Sequence, residues 1–543
     1  MPKGITFKDR LKEILSDEEL LKFKSAFDVV GDIAILEIDV EFSDKEVEIA
    51  QSLLNLHKNI KTVLKKAGEH AGKFRRQRMK FLAGEDKRLT LHRENNAFVY
   101  VDVEKSYFSP RLSTERKRIM QQVKDGENIL VMFSGVGPYP SVIARNKNPR
   151  RVVGVEMNPS AHRIALMNKK KNKLKNVEFY KGDVNEIVPI LTKKTTIGLK
   201  TNWRKNHLKK KTPHKPEILE IYIGKGDLEN YFKDFEKSIS ELSEKGYRLV
   251  LHAPLEYNGL EITTASDIPE IIKNTAECFS KLENLCEKYK LKGFVGHPYS
   301  FTRDERSYNG KTYKHTLKNI YGFFEKHRFR HLFHENLMFG PFSNPNTVVR
   351  TAKKLGLNIC CDVAHLYIAS ESLDKFYDSF QKFPEGTYFH IADAKFLGKK
   401  TKVAHEIHSF PVGKGEINFD KILPYINEGI AEVINKDELN PVEMISSWKT
   451  LQKIAEDISK FDRILMPLPK SADEFLPVAL RAAKKNAIVH FYDFLHVDEF
   501  HLAEEKVRGS CEKAGRKYKK LDFVKCGQHS PRTFRVCLDF RVS

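Results

Sequence analysis

Cysteine is scarce in this 543-residue sequence: there are seven, at 278, 286, 360, 361, 511, 526 and 537, and no two form a CxxC pair. That excludes a disulfide framework and a thiolate zinc site, and it fits free thiols in a reducing compartment. Long apolar runs are missing too. No stretch of 18 apolar residues occurs, so a membrane-spanning helix is excluded. The opening MPKGITFKDRLKEIL lacks the apolar core of a signal peptide. A soluble cytoplasmic chain with no membrane partner is expected. Acid is in deficit: 72 Asp and Glu face 94 Lys and Arg, a formal charge of +22. A surplus of that size points to a polyanionic partner, nucleic acid being the simplest. Hydrophobic residues make up 41%, enough for ordinary cores, and the length suggests about two to four domains.

The rhythm of the chain changes three times. Residues 1–100 read as a small α+β module: AFDVVGDIAILEI is a strand pair broken at Gly-Asp, and DKEVEIAQSLLNLHKNIKTVLKKAG has helical periodicity. A basic stretch, GKFRRQRMKFLAGED, precedes a hairpin with an Asn-Asn turn. Residues 101–195 alternate strand and helix. STERKRIMQQV is a helix whose Ser113–Glu115 pair approximates a capping box. NILVMF, RVVGVEMN and VEFYKGDV are successive strands of a parallel, doubly wound sheet.

Residues 196–459 behave differently. KTNWRKNHLKKKTPHK, 200–215, reads as an exposed basic linker. Eight strand-like units follow, ending at EIYIGK, LVLHAPL, GFVGHPY, HLFHENL, NICCDVAHLY, YFHIADA, HSFPVG and PVEMISS, which fits a (β/α)8 barrel. From 460 to 543 the first rhythm resumes with DRILMPLP, further helices and strands, and a closing hairpin. The expected fold is therefore α/β: a Rossmann-like doubly wound sheet interrupted by an inserted TIM barrel, plus the N-terminal module.

In MFSGVGPYP, Gly135 and Gly137 let the backbone approach a nucleotide-like ligand. Glu156 ends the second strand about 20 residues on, where an acid binds ribose hydroxyls, and Asp183 ends the third. Together YFSPRLSTERKRI, MFSGVGP, GVEMNP, GDV, DRILMPLP and HSPRTFRVCLDFRV resemble the tRNA (guanine-37-N1)-methyltransferase family, over residues of about 20–190 and 460–543. The resemblance implies a class I methyltransferase using S-adenosylmethionine, held by Phe133, Gly135, Gly137, Glu156, Asn158 and Asp183, and a tRNA anticodon loop as partner. N1 of guanine must lose a proton as methyl arrives, so a base is required. Charge develops on O6, so a fixed cation helps. The resemblance gives Glu115 as the base, with Arg111 or Arg116 nearby and Arg75 on the guanine oxygen. Tyr107, Pro467 and Pro469 belong to the base pocket. Pro467 stands where the family has Asn, and Val131 where it has Asp. Aminocarboxypropyl transferases of wybutosine synthesis are the alternative within this fold.

Nine imidazoles and carboxylates end the barrel units: His252, His297, Glu335, Asp362, His365, His390, Glu406, His408 and Glu443. This is the ligand mix for two or three Zn, Mn or Fe ions, zinc foremost, and close metals can bind phosphate and generate hydroxide. The order resembles xylose-isomerase-like barrels, most closely the endonuclease IV type, with Glu406 where that family has Asp. A nucleic-acid or sugar-phosphate substrate is implied. A sugar isomerase or epimerase, or an inactive scaffold in a nucleic-acid-binding protein, is the alternative for this half.

Overall fold

A computed structural model describes residues 6–68, 72, 77–299, 310–370, 372–380, 382–395, 410–432, 441–467 and 471–543. The predicted Arg75, Pro469, Glu406 and His408 lie outside the described residues. The chain divides into two compact units, one made of residues 1–192 and 460–543, the other of 193–459.

In the first unit, the strand Phe461–Met466 pairs in parallel with Asn128–Met132, matching Arg463 to Ile129 and Leu465 to Val131. Seven strands form the sheet, in the order Tyr518–Ser530, Thr533–Val542, Ala483–His496, Phe461–Met466, Asn128–Met132, Arg151–Glu156 and Val177–Lys181. Only Thr533–Val542 runs antiparallel to its neighbours. The sequence order reverses at Asn128–Met132, and such a switch point opens a crevice at the carboxyl ends of the strands. Every residue of Asn128–Met132 is buried, as expected of a strand covered on both faces.

The N-terminal module is a four-stranded sheet, Phe27–Val30, Ile33–Leu36, Thr62–Lys66 and Met79–Gly84, with the helix Glu46–Leu56 packed on it. Thr6 and Ser16 start its two short helices with capping boxes. The hairpin Leu89–Glu94/Ala97–Asp102 turns at Asn95 and Asn96, whose φ of 43° and 62° suits the left-handed region that Asn tolerates. At the helix Ser113–Gln122 the expected capping box is absent. Leu112 holds the N-cap position and no side chain caps it.

The second unit is a closed barrel of eight parallel strands. Six are those read from the sequence. The first and last are not. The barrel opens with Thr196–Asn202 and closes with Glu428–Ala431, which pair with each other. Among the described residues of HSFPVG, Phe410 makes an isolated bridge to Asp393 and no strand forms. PVEMISS lies in the helix Pro441–Ile458, where proline starts the helix and Met444, Trp448, Leu451, Ala455 and Ile458 form its buried stripe. Nor is 200–215 an exposed linker. It holds the end of the first strand and the helix Lys205–Lys211, and both Lys200 and Lys211 are buried. No described helix is long and apolar enough to cross a membrane.

Burial, with the charges of Lys200 and Lys210, pushes Lys211 down to about 8. An unfolded lysine titrates near 10.4, so between those values the unfolded chain binds a proton that the folded chain has released. Stability therefore rises with pH across that window, by up to about 3 kcal/mol on the linkage relation. Urea unfolding at pH 7.5 and pH 10 should show a larger rise in the wild type than in K211M, which keeps only the contribution of Lys292, also pushed down to about 8 by burial. The same pH dependence in both would exclude it.

Candidate functional site

In the first unit the sheet's carboxyl edge assembles most of the residues predicted to hold the cofactor. The chain leaves Asn128–Met132 through Phe133, Gly135 and Gly137, all at positive φ, and enters the helix Pro138–Asn146. A Cβ on Gly137 would lie 2.5 Å from the Phe179 ring, so only glycine fits there. Glu156 joins the pieces. One carboxylate oxygen accepts the Gly135 N–H and the other the Asn158 N–H, each at 2.7 Å. Burial pushes its carboxyl up, against the pull of those N–H groups and that of Met157. Asn158 caps the next helix through Ser160 N–H and donates to the Lys105 carbonyl at 2.7 Å. Gly182 N–H bonds the Glu156 carbonyl, which sets Asp183 beside it; Asp183 caps the helix Val184–Leu191. Phe133 packs edge-on against Phe475 at 4.7 Å. The Ser134 hydroxyl is buried with no hydrogen-bond partner.

Glu115 is buried on the helix Ser113–Gln122. Its Oε1 accepts from the Tyr492 hydroxyl at 2.6 Å and from Arg118 Nη2 at 2.7 Å, and its Oε2 from Arg118 Nε at 2.7 Å. Tyr139, in the helix that follows the glycines, donates to Tyr492 at 3.1 Å. The cation beside Glu115 is thus Arg118, not Arg111 or Arg116. Arg116 is buried in a two-pronged pair with Glu94 and lies over Phe108. Arg111 is exposed and pairs with Asp28 at 2.6 Å. Arg118 is also bound by Asp539, whose Oδ1 lies 2.6 Å from His490 Nδ1. Tyr107 accepts from Arg535 at 2.7 Å, and its carbonyl lies next to Gly135. Pro467 is half-buried just after Met466. Arg118 was readable as the i+3 partner of Glu115. Tyr492, Asp539 and Arg535 come from remote strands and carried no local signal.

In the barrel, Ile218, Val250, Val295, Phe333, Cys360, Tyr388 and Ile430 form a buried apolar cluster, one from each of seven strands. Strand side chains repeat with period two. Two residues further along stand Glu220, His252, His297, Glu335, Asp362, His390 and Glu432. On the eighth strand the same step runs from Gly198 to Lys200. Gly198 is where a Cβ would lie 2.3 Å from the Ile218 carbonyl oxygen.

Glu335 is central. His297 Nε2 is 2.8 Å away, His390 Nδ1 3.2 Å, and His252 Nε2 and His365 Nδ1 3.8 Å each. His390 Nδ1 also faces Glu432 Oε2 at 3.3 Å and Asp362 Oδ2 at 4.0 Å. Donor sets close enough to share an ion include Glu220, His252 and His390; His252, His297 and Glu335; Glu335, Cys360 and His390; and Glu335, Asp362 and His365. Burial, then the charges of Glu432 and Glu335, pushes Asp362 up. Burial works against protonation of His390, yet Cys360 and the acids Glu220, Glu335 and Glu432 together hold it well above the usual range. Four buried carboxylates thus face one lysine; Glu220 Oε1 lies 3.2 Å from Lys200 Nζ, and Glu335 Oε2 and Glu432 Oε2 face the imidazoles of His297 and His390. Glu443 is not part of this set. It sits in the first turn of the helix Pro441–Ile458, and Glu432, after the last strand, takes the eighth strand's place. Asp393 accepts four backbone N–H bonds, from Ala394, Gly413, Gly415 and Ile417, and so fixes the loop beside the mouth.

The strand order and the glycine turn clasped by Glu156 define an α/β domain of the kind that binds a nucleoside at a switch point. A family model described as the TRM5/TYW2 methyltransferase domain matches residues 90–208 and 422–522, and one described as the TYW2 N-terminal domain matches 7–87. The chain is 34% identical over 278 residues to tRNA (guanine(37)-N(1))-methyltransferase Trm5b of Methanocaldococcus jannaschii, covering 47% of this chain and 77% of that protein. It therefore belongs to the TRM5/TYW2 methyltransferase family. It is 39% identical over 171 residues to Trm5b of Pyrococcus abyssi, covering 31% of this chain and about half (51%) of that relative. It is also 39% identical over 149 residues to the tRNA (guanine(37)-N(1))/4-demethylwyosine(37)-methyltransferase Taw22 of Nanoarchaeum equitans, covering 27% of this chain and 49% of that protein. Among solved structures, Trm5b from Pyrococcus abyssi superposes with a TM-score of 0.45 at 18% identity, covering 100% of this chain and 80% of that one. A D-tagatose 3-epimerase-like protein superposes with a TM-score of 0.37 at 19% identity, covering 48% of this chain and 98% of that one.

Glu156 gives a direct test of the nucleotide site. Glu156→Ala should weaken S-adenosylmethionine binding by about 1–3 kcal/mol, the range for losing a buried hydroxyl partner. Unchanged affinity by calorimetry would remove Glu156 from the site.

Proposed function

We propose that the chain is a cytoplasmic S-adenosylmethionine-dependent methyltransferase acting on N1 of guanosine 37 in the tRNA anticodon loop. On this reading, residues 193–459 are a metal-dependent TIM barrel inserted between the third and fourth strands of a class I methyltransferase sheet. The observation that carries the first part is the glycine turn bonded to Glu156 at the switch point, in a chain of this family. The buried, unpartnered Ser134 hydroxyl and the Glu156 carboxylate fit a bound nucleoside. Phe133, Gly135, Gly137, Glu156, Asn158 and Asp183 would hold it. S-adenosylmethionine, when bound, supplies an electrophilic methyl group. The protein's own part is to fix the guanine through Tyr107 and Pro467, to take the N1 proton on Glu115, and to exclude water. Arg118 orients Glu115 through two hydrogen bonds to its carboxylate. The +22 charge supports a tRNA partner.

The test is transfer of labelled methyl to a tRNA transcript with guanosine at position 37 and to a second transcript with adenosine there; only the first should accept. A second reading, methylation of 4-demethylwyosine at position 37, is favoured by the likeness to Taw22. Transcripts carrying that base separate the two.

For the barrel, the buried carboxylates and imidazoles gathered around Glu335 fit one or more divalent ions, zinc foremost. A divalent ion there supplies Lewis acidity toward a phosphate or a sugar oxygen. Metal analysis with a panel of abasic DNA, phosphodiesters and ketosugars tests it.

A further inference from the structure

Lys200 and Glu220 stand on adjacent barrel strands, paired in register, and both are buried. Their charged ends meet the other members of the polar layer. Lys200 Nζ lies 2.7 Å from Glu432 Oε1 and 3.2 Å from Glu220 Oε1. Glu220 Oε2 lies 3.0 Å from His390 Nε2. We propose that Lys200 and Glu220 are a charged floor that aims His390 Nδ1 and Glu432 Oε2 at one divalent-cation site, shared with Glu335 and Asp362. This rests on the metal-dependent reading of the barrel given above.

The geometry argues it atom by atom. His390 Nε2 faces one carboxylate, Glu220, while Nδ1 faces three, so Nδ1 is the nitrogen placed to share an ion with them. Glu335 Oε1 is 3.2 Å from it, Glu432 Oε2 3.3 Å and Asp362 Oδ2 4.0 Å. The remaining oxygen of each acid is turned elsewhere. Glu432 gives Oε1 to Lys200, Asp362 gives Oδ1 to the His365 N–H at 2.7 Å, and Glu335 turns Oε2 toward His297. Each of the three acids thus directs one oxygen at a common point. A carboxylate behind a ligating histidine sets its ring orientation and raises its basicity. Lys200 fixes Glu432 in the same way and also offsets the charge of Glu220, which would otherwise be a buried anion with little compensation. The floor lies on the first two strands of the barrel, and the ligands come from the fifth to the eighth.

The experiment is direct metal titration of the full chain, stripped with chelator, using Zn2+ and Mn2+ against a competing fluorescent chelator. Melting curves run in parallel. K200M and E220Q should each bind about 10–100-fold more weakly, the usual loss when the partner of a metal ligand is removed. The Co2+-loaded variants should show altered visible bands, which a purely structural role would leave unmoved. K200R keeps the cation, so it should fold and bind close to wild type even if K200M does not fold. Wild-type affinity in folded K200M and E220Q would overturn the floor while leaving the metal centre standing. So would a K200R as weak as K200M. A wild type that takes up no ion would overturn the metal centre itself, and the floor with it.

Discussion

Replacing Glu115 by Gln is expected to leave S-adenosylmethionine binding intact and to slow methyl transfer by about 10²–10⁴-fold, the usual contribution of a general base. The amide keeps the volume and can still accept from Tyr492 and Arg118, but it cannot take the N1 proton. Arg118 retains Asp539, so the helix Ser113–Gln122 keeps one of its anchors to the sheet. The fold should lose about 1–3 kcal/mol, as when a buried hydrogen bond to a charged group is weakened. Single-turnover transfer at saturating tRNA, alongside a melting curve, separates chemistry from stability. A variant that keeps its rate from pH 6 to pH 9 would show that another group removes the proton.

Glu335→Gln should have an effect of similar size on the barrel. Four imidazoles lie within 3.8 Å of the Glu335 carboxylate. Removing its charge takes the shared ligand from three of the donor sets. Bound metal should fall to background. Breaking a buried charged cluster by removing one partner typically costs about 3–5 kcal/mol, so the barrel's melting transition should drop as well. Plasma emission analysis of gently purified wild type and variant provides the comparison. Less than one equivalent in the wild type, with no uptake of added Zn or Mn, would refute the metal centre.

Much of this was legible in the sequence, for physical reasons that differ by element. The parallel strands NILVMF, RVVGVEMN and DRILMPLP announce themselves because both their faces are covered, so they read as unbroken apolar runs. Glu335, Asp362 and His390 were found because each directly closes such a run. Thr196–Asn202 offers only Ile197 and Leu199 before a string of lysines, and Glu428–Ala431 is four residues long. Lys200 and Glu432 were missed with them, and Glu220 was missed because it lies within its strand, at the start of EIYIGK, and not at the strand's end. The alternation itself holds the remedy: counting two residues on from each apolar interior position reaches Glu220 and Glu432, and the same step from Gly198 reaches Lys200. Glu443 was misread because a proline-initiated helix can begin with an acid and an apolar pair that look like a strand end. Arg118 was overlooked for a different reason. Arg111 and Arg116, on either side of Glu115, competed for the same role, and their partners Asp28 and Glu94 are distant in sequence.

The Asn128 N–H finds its acceptor, Asp462, 334 residues further along the chain. A ribosome adding about 5–20 residues per second needs roughly 15–70 s to cover that interval. For that time the strand Asn128–Met132 has been made while its parallel neighbour Phe461–Met466 does not yet exist. One flank of the nascent sheet is then an apolar edge with unpaired N–H and carbonyl groups, the form most open to pairing with another nascent chain. Slowing translation through the barrel should therefore lower the yield of soluble protein more than slowing it after Val542's strand has begun.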